Sequence, residues 1–212
     1  MTDFLNKNGK LVLLKIVKAV QDNKDYLGEV DGLIGDGDHG MNMNKGFTMF
    51  GTRYAEADIS FTEGLNNLGS ILFNEIGGSM GPIYGTIFME MADAGEKLEV
   101  ISVADLAKIL KAGLDGLCEI VEARVGDKTL VDTISPVVDS LMKDAEAKTD
   151  YKTALNNIKI AAEKGKNSTK DLVAKFGRSS RLGERSRGVL DAGATSCCII
   201  LQAMADGISE VL

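Results

Sequence analysis

Long segments with apolar residues at helical spacing, separated by short polar stretches, dominate this sequence. In the first of them, Leu13, Ile16, Val17 and Val20 recur every three or four positions and so share one face of a helix. Aromatic residues make up only 5% of the chain and tryptophan is absent, which disfavours strands. The pattern recurs about eight times with no convincing strand, so we predict one all-α domain spanning residues 1–212, a bundle of about eight antiparallel helices.

Capping residues, glycines and prolines set the expected helix ends. Ser102 and Asp105, for example, form a capping pattern at the start of one helix. The predicted helices after the first two run from Asn42 or Asn44 through Phe50, from Thr62 to Phe73, from Pro82 through Met91, from Ser102 to about Arg124, from Leu130 to Lys143, from Asp150 to about Lys164, from Ser168 to Gly177 and from Ala194 to Ile208. Pro136 is expected to kink its helix or to delay its start.

Charge and cysteine content restrict the expected surroundings of the protein. The net charge is −7, and an acidic chain lacks the basic surface that binds nucleic acids or anionic membranes, so neither is an expected partner. The three cysteines, Cys118, Cys197 and Cys198, offer no disulfide framework and no zinc spacing. Because there is also no signal peptide and no apolar run that could cross a bilayer, we expect a cytoplasmic protein.

An acidic stretch rich in glycine, residues 31–44, carries the strongest functional signal. Asp31, Asp36 and Asp38 lie close together in it, with glycine at positions 32, 35, 37 and 40. Carboxylates held this close repel one another unless a cation lies between them, and such hard oxygen ligands suit Mg²⁺. Alternating glycine and aspartate is also typical of a solvated turn. The only histidine of the chain and two asparagines follow at once, which favours a site for Mg²⁺ and phosphate over that turn.

Three known loop motifs compete for this interpretation. Gly35, Gly37 and Gly40 match the spacing of the dinucleotide fingerprint, but no β-branched strand precedes them and acids occupy the variable positions. An EF-hand loop beginning at Asp36 would need glutamate at position 47, where the chain has Phe47. No Gly-Lys pair is followed by serine or threonine, as a Walker A loop requires. The magnesium–phosphate loop therefore remains the preferred interpretation.

Three further polar segments rich in glycine interrupt the helices, at 77–81, 126–129 and 177–193. Alternate connections of an antiparallel bundle lie at the same end, so these segments and the acidic stretch can form one pocket. The 77–81 segment leads into a helix start, where free N–H groups favour an anion and Ser79 adds a donor. A plain helix break is an equally good interpretation of that segment.

Two cationic or titratable side chains in these segments are candidates for contact with phosphate. Most arginines between 177 and 193 are expected to be solvated, but Arg178 directly follows Gly177, which ends a predicted helix, and a guanidinium suits phosphate oxygens. A lone histidine is more often structural than functional. Because His39 lies beside Asp38, we expect it to hydrogen bond to phosphate or to a metal ligand.

Five motifs in a fixed order resemble the nucleotide-binding L subunit of the dihydroxyacetone kinases. They are Gly35-Asp-Gly-Asp-His-Gly40, Gly78-Ser-Met-Gly-Pro82, Gly126-Asp-Lys-Thr129, Gly177-Arg-Ser-Ser-Arg-Leu-Gly-Glu-Arg-Ser186 and Asp191-Ala-Gly-Ala194. Each motif is short, but the ordered set is specific and spans the chain from the acidic stretch to the last helix. Two positions depart from the usual family pattern, with Ala192 in place of proline and Leu130 in place of methionine.

The resemblance implies a barrel of eight antiparallel helices with nucleotide bound at one end. Asp31, Asp36 and Asp38 would then bind two Mg²⁺ ions that join the nucleotide phosphates, and Asp36, Asp38 and Arg178 would be the catalytic groups. The implied nucleotide contacts are His39, Gly40, Met41, Asn42, Ser79, Met80, Leu130, Arg178, Asp191, Ala192 and Gly193.

The resemblance also implies a phosphotransferase with one of two organisations. In one branch of the family the domain is fused to a dihydroxyacetone-binding domain and uses free ATP. In the other it is a separate subunit that keeps ADP as a coenzyme. There, a phosphohistidine on the M subunit of the phosphoenolpyruvate-dependent phosphotransferase system phosphorylates the ADP, and the ATP formed phosphorylates dihydroxyacetone held by the K subunit.

A chain of 212 residues without a second domain favours the separate-subunit branch. Two alternatives remain at this point. The first is an ATP-exchanging kinase subunit for another acceptor, such as a fatty acid bound to a partner protein. The second is a non-catalytic, ADP-dependent regulatory protein that binds a transcription regulator.

Overall fold

The computed structural model describes residues 3–212 and is almost entirely helical in that range. Its α-helices are α1 (Gly9–Asp22), α2 (Lys24–Gly32), α3 (His39–Tyr54), α4 (Phe61–Glu75), α5 (Met80–Gly95), α6 (Val103–Ile120), α7 (Val131–Glu146), α8 (Tyr151–Ser168) and α9 (Ala192–Val211). Three 3₁₀ segments lie outside them, Asn6–Asn8, Thr169–Asp171 and Arg178–Ser186. The prediction of an all-α fold is confirmed.

The helices close into a barrel around one apolar interior. Each helix from α4 to α8 packs along the helix that follows it in the chain, and α9 packs along α1. Since α1 also contacts α3 and α4, the ring is complete, and the short α2 packs on α3. Leu13, Ile16 and Val20, which predicted α1 by their spacing, face this interior and are fully buried. The barrel that the resemblance implied is confirmed.

A small antiparallel sheet, like the 3₁₀ segments, was not indicated by the sequence. Its strands are β1 (Phe4–Leu5) and β2 (Val100–Ile101), with Phe4 opposite Ile101. Both of these residues are fully buried, and Phe4 meets Phe61 edge to face with ring centroids 5.3 Å apart. Strands of two residues are too short for an alternating pattern to be recognised in a sequence.

Side-chain caps fix several helix starts. As predicted, Ser102 caps α6: its hydroxyl oxygen accepts from the Asp105 N–H, and the Asp105 carboxylate accepts from the Ser102 N–H. Asp150 caps α8, also as predicted. Helix α4 begins one residue before its predicted start, because Ser60 and Glu63 form a capping box that the sequence analysis overlooked.

Besides α4, three helices begin earlier than predicted. Helix α5 starts at Met80 rather than at Pro82, within the glycine-rich segment. Helix α3 starts at His39 rather than at Asn42 or Asn44, and α9 starts at Ala192 rather than two residues later. In both, the first turn is polar or rich in glycine, so the apolar periodicity begins after the helix does. Helix α7 runs without interruption past Pro136, which contradicts a delayed start.

Two predicted boundaries near the polar segments are wrong. Helix α6 ends at Ile120 rather than near Arg124, whose N–H is instead bound by the Asp127 carboxylate at 2.7 Å. Helix α8 continues to Ser168, so this serine is not the cap of a new helix. The predicted helix over 168–177 is replaced by a single 3₁₀ turn and irregular chain, because the segment packs by loop contacts rather than by an apolar stripe.

All four polar segments lie at the same end of the barrel. They connect α2 to α3, α4 to α5, α6 to α7 and α8 to α9, which are alternate connections. The other end carries the connections from α3 to α4, from α5 to α6 and from α7 to α8, together with the small sheet. The fold therefore gathers polar, glycine-rich chain at one end.

Helix α9 carries two of the three cysteines. It contains Cys197 and Cys198, which are buried and free, and Cys118 in α6 is also a free thiol, as the absence of a disulfide framework predicted. Neither α9 nor any other helix between residues 3 and 212 has the length and apolar character needed to span a membrane.

Candidate functional site

A cavity of about 350 Å³ opens where the four polar segments meet. Its volume falls within the range of about 300–1,000 Å³ that is typical of small-molecule sites. Among the lining residues are Asp31, Asp36, Asp38, His39, Asn42, Ser79, Met80, Lys128, Thr129, Leu130, Phe176, Arg178, Asp191, Ala192 and Gly193. All four segments contribute, as expected from alternate connections of an antiparallel barrel.

Asp31, Asp36 and Asp38 form an acidic cluster on one wall of the cavity. One carboxylate oxygen from each lies within 4.8 Å of those from the other two. The glycines make this approach feasible, because a Cβ on Gly35 would lie 2.2 Å from Asp31 Oδ1 and Gly37 adopts a φ of +78°. Three converging hard oxygen ligands fit Mg²⁺, which completes its shell with water and phosphate oxygens.

Arg178 lines the cavity beside the acidic cluster and forms an ion pair with it. Its Nη1 atom is 2.7 Å from Asp36 Oδ2, and its side chain is 67% exposed. The prediction that Gly177 ends a helix is wrong. Gly177 has a φ of +70° and precedes the 3₁₀ segment that begins at Arg178. Since an exposed ion pair contributes little to stability, the guanidinium is free to exchange this carboxylate for a phosphate oxygen.

His39 occupies the first position of α3 and has a well-defined environment. Its backbone N–H faces Asp31 Oδ2 at 3.3 Å, while its ring Nε2 lies 2.8 Å from Ser196 Oγ. Burial lowers the pKa of His39, and the charges of Asp31 and Asp38 oppose that effect only in part. The contact with Asp31 is made by the backbone, so it does not test the predicted bond of the His39 side chain, and the ring partner Ser196 was not expected.

The segment before α5 offers an anion-binding environment. Ser79 and Met80 line the cavity, and Gly78 has a φ of +76°, which turns the chain into the helix. The first N–H groups of a helix have no carbonyl partner within it, and the Ser79 side chain makes no capping bond that would occupy one. Pro82 lies in the first turn, as predicted, where its missing N–H costs nothing. A phosphate placed here would be stabilised by the helix start.

Lys128 holds two neighbouring segments together beneath the cavity. Its side chain is almost fully buried, and its Nζ atom donates to the carbonyl oxygens of Thr169 and Val189. Burial lowers the pKa of this amine. Lys128 also has a φ of +61°, a conformation that few non-glycine residues adopt. The 126–129 segment therefore fixes the chain that precedes α9, which the sequence did not reveal.

The start of α9 completes the cavity wall opposite α5. Asp191 caps the helix by accepting from the Ala194 N–H at 2.7 Å, and Ala192 and Gly193 line the cavity beside it. Burial raises the pKa of Asp191 from its ordinary value of 3.8 to about 6. The carboxyl group is therefore mostly ionised at neutral pH and becomes protonated below about pH 6.

Two residues of the predicted nucleotide contacts, Gly40 and Met41, do not line the cavity. A Cβ on Gly40 would lie 1.9 Å from the Lys24 carbonyl oxygen, so this glycine serves the close packing of α3 on α2. Met41 is 72% exposed. A contact of Gly40 with nucleotide would have to come from its backbone.

Two polar side chains near the cavity were missed by the sequence analysis, Tyr84 and Ser196. Each lies about one helical turn after a predicted residue, Tyr84 after Met80 and Ser196 after Gly193, and therefore on a similar helix face. The available signal for the second was the presence of a polar pair, 195–196, at the start of an otherwise apolar helix.

The raised pKa of Asp191 predicts a specific pH dependence of stability. The folded protein keeps the proton up to about pH 6, whereas the unfolded chain releases it near pH 3.8, so this residue makes the protein less stable as the pH rises between those values. Asp191→Asn keeps a capping side chain but does not titrate. We expect its free energy of unfolding, relative to the wild type, to rise from pH 4 to pH 6 by at most about 3 kcal/mol. Denaturant unfolding in the presence of a chelator measures this, and a constant difference across that range would contradict it.

The sequence is similar to a known domain family and to characterised proteins. Residues 33–206 match the model of the DAK2 domain family. The chain is 38% identical over 189 residues to the ADP-binding subunit DhaL of the PEP-dependent dihydroxyacetone kinase of Escherichia coli (strain K12), and the alignment covers 88% of this chain and 89% of the relative. It is 33% identical over 198 residues to the ADP-binding subunit DhaL of the PTS-dependent dihydroxyacetone kinase of Lactococcus lactis subsp. lactis (strain IL1403), with coverage of 92% and 94%.

A solved structure shares the fold. The crystal structure of the dihydroxyacetone kinase from C. freundii, in complex with AMP-PNP and Mg²⁺, superposes with a TM-score of 0.73 at 20% sequence identity. The superposition covers 97% of the present chain and 35% of that chain, so the likeness concerns one part of a longer protein. At this level of identity it shows the fold alone.

Proposed function

This chain belongs to the DAK2 domain family, and on that premise we propose that it is the nucleotide-binding L subunit of a phosphoenolpyruvate-dependent dihydroxyacetone kinase. In the proposed cycle, a phosphohistidine of an M subunit of the phosphotransferase system transfers its phosphoryl group to ADP kept in the cavity. Dihydroxyacetone bound to a K subunit then receives that group. Relatives named as ADP-binding subunits, which align over nearly their full length, support the proposal.

The observation that carries this proposal is the meeting of opposite charge types in one cavity. The carboxylates of Asp31, Asp36 and Asp38 converge on one wall, where they would hold Mg²⁺. The start of α5 with Ser79, and the guanidinium of Arg178, offer donors for phosphate oxygens close to that wall. Carboxylates next to hydrogen-bond donors fit a phosphate with its bound Mg²⁺ better than they fit a metal ion alone or a phosphate alone.

The residues of this chain would act by positioning and by charge. When bound, the nucleotide would supply the terminal phosphate oxygen that takes the phosphoryl group from the phosphohistidine and later releases it to the acceptor hydroxyl, and Mg²⁺ would offset the charge of the phosphate oxygens. Arg178 can leave Asp36 and stabilise the transferring group. Leu130, Ile83 and Val121 give the cavity an apolar wall that limits access of water. No side chain is needed as a nucleophile.

Reconstitution with cognate K and M subunits tests the proposal. The mixture contains this chain, both partners, the general phosphotransferase proteins, phosphoenolpyruvate and dihydroxyacetone, and the product is dihydroxyacetone phosphate. We expect sustained product formation that depends on phosphoenolpyruvate and on this chain. Omission of this chain, with all other components present, is the control.

The same assay separates the alternatives. Sustained turnover with free ATP and no phosphotransferase proteins would indicate an exchangeable kinase site, which contradicts the coenzyme role. No turnover under either condition, from a protein that still binds ADP, would indicate a non-catalytic nucleotide-binding protein. Either result would overturn the proposal in its present form.

A further inference from the structure

Two buried hydroxyl groups connect the acidic loop to the helix on the opposite wall of the cavity. Ser196 Oγ in α9 lies 2.8 Å from the Nε2 atom of His39 in α3 and 2.7 Å from the Tyr84 hydroxyl in α5. Both hydroxyls also approach the Gly193 carbonyl oxygen, at 3.1 Å from Ser196 and 3.2 Å from Tyr84. Three helices that contribute to the cavity thus meet in one hydrogen-bonded group.

The members of this group are well placed to hold their positions. Ser196 is fully buried and Tyr84 is 3% exposed, so water does not compete for their bonds. A neutral imidazole has one donor and one acceptor nitrogen, and the bond made by one nitrogen decides the role of the other. Ser196 therefore restricts both the orientation of the His39 ring and the distribution of its proton.

The contact also has a consequence for the acidic cluster. His39 follows Asp38 directly, and its backbone N–H faces Asp31 Oδ2 at 3.3 Å. Ser196 belongs to the first turn and a half of α9, whose start carries the cavity residues Asp191 and Gly193. His39 is thus held by its backbone N–H at the acidic cluster and by its ring Nε2 at α9, which keeps these two walls at one spacing.

The geometry points to Ser196 and Tyr84 as positioning residues that lock His39, and through it the acidic loop, onto the start of α9. This inference rests on the proposed function insofar as it concerns phosphoryl transfer. The hydrogen-bonded lock itself is a property of the folded chain and can be tested without any turnover.

His39 is the only histidine in the chain, so its ring can be observed without assignment. Protein labelled with ¹⁵N-histidine is examined by NMR at a pH where the imidazole is neutral. We expect the wild type to show one nitrogen of the protonated type and one of the unprotonated type, which is the pattern of a single tautomer. In Ser196→Ala the two signals should move toward each other as the tautomers mix, and Tyr84→Phe should produce a smaller change.

Thr195→Val is a matched control from the same helix turn. Thr195 is buried and donates to the Asp191 carbonyl oxygen at 2.7 Å, but it makes no bond to His39. Valine has nearly the same shape, so this variant removes a neighbouring buried hydroxyl without touching the group. Its His39 signals should match those of the wild type.

Kinetics then test the positioning role. In the reconstituted reaction, Ser196→Ala should lower kcat by about 10-fold, the scale on which partners that orient metal-bound side chains act, and leave KM for the phosphorylated M subunit unchanged. Mixed tautomers in the wild type, or unchanged His39 signals in both Ser196→Ala and Tyr84→Phe, would overturn the lock. Altered signals with wild-type kcat would overturn the positioning role. Absence of turnover from the wild type would instead defeat the proposed function and leave the NMR result to decide the lock.

Discussion

Asp36→Asn and Asp38→Asn are each expected to lower phosphoryl transfer by at least about 100-fold. Loss of even an outer partner of a metal ligand costs about 10–100-fold in metal affinity or activity, and here the ligand itself is removed. Asparagine keeps the size of the side chain but not the charge that would hold Mg²⁺. The measurement is the rate of dihydroxyacetone phosphate formation in the reconstituted reaction.

Stability measurements on the same variants distinguish loss of metal binding from loss of fold. Each substitution removes one of three mutually repelling charges, so the melting temperature in the presence of a chelator should not fall. Asp115→Asn is the matched control, because Asp115 forms an exposed ion pair with Lys111 on α6 and does not line the cavity. Near wild-type transfer by the cavity variants, or their unfolding, would contradict the metal assignment.

Gly40→Ala is expected to be the most damaging single methyl addition at the site. The new Cβ would lie 1.9 Å from the Lys24 carbonyl oxygen and 2.7 Å from the Gly28 nitrogen, both of which are backbone atoms of α2. Backbone cannot move aside as the end of a flexible side chain does, so α3 must shift. Overpacking of this kind costs about 1–3 kcal/mol, and we expect the upper end of that range or more.

Activity should fall together with stability in this variant, because the start of α3 carries His39 and follows Asp38 directly. Gly77→Ala is the control, since a Cβ there meets nothing within 4 Å and the glycine has no positive φ. Thermal unfolding and the transfer assay are measured on both. Wild-type stability of Gly40→Ala would contradict the close contact between α2 and α3 that the structure shows.

Much of the fold followed from local patterns. Periodic apolar residues such as Leu13, Ile16 and Val20 identified α1, and the Ser102–Asp105 cap fixed the start of α6, because both signals act within a few residues of the chain. Helix ends at polar segments were less predictable. At the start of α3, for instance, the first turn faces a cavity and lacks the apolar periodicity on which the prediction depends.

The same distinction applies to the site. The acidic cluster could be anticipated because its members are close in sequence, and the common location of the four polar segments follows from the antiparallel topology. The bond from His39 to Ser196 joins residues 157 positions apart, and no local pattern encodes it. The packing role of Gly40 and the buried bonds of Lys128 are likewise tertiary properties, decided by which helix or loop approaches.

The central claim is that ADP is a resident coenzyme in the cavity between the acidic loop and the starts of α5 and α9. The most direct test is to denature the purified protein and to identify and quantify any nucleotide released. The account predicts ADP in near-stoichiometric amount, reduced in Asp36→Asn but not in Asp115→Asn. No released nucleotide would contradict the resident coenzyme, and failure to bind added ADP in the presence of Mg²⁺ would contradict the nucleotide site as well.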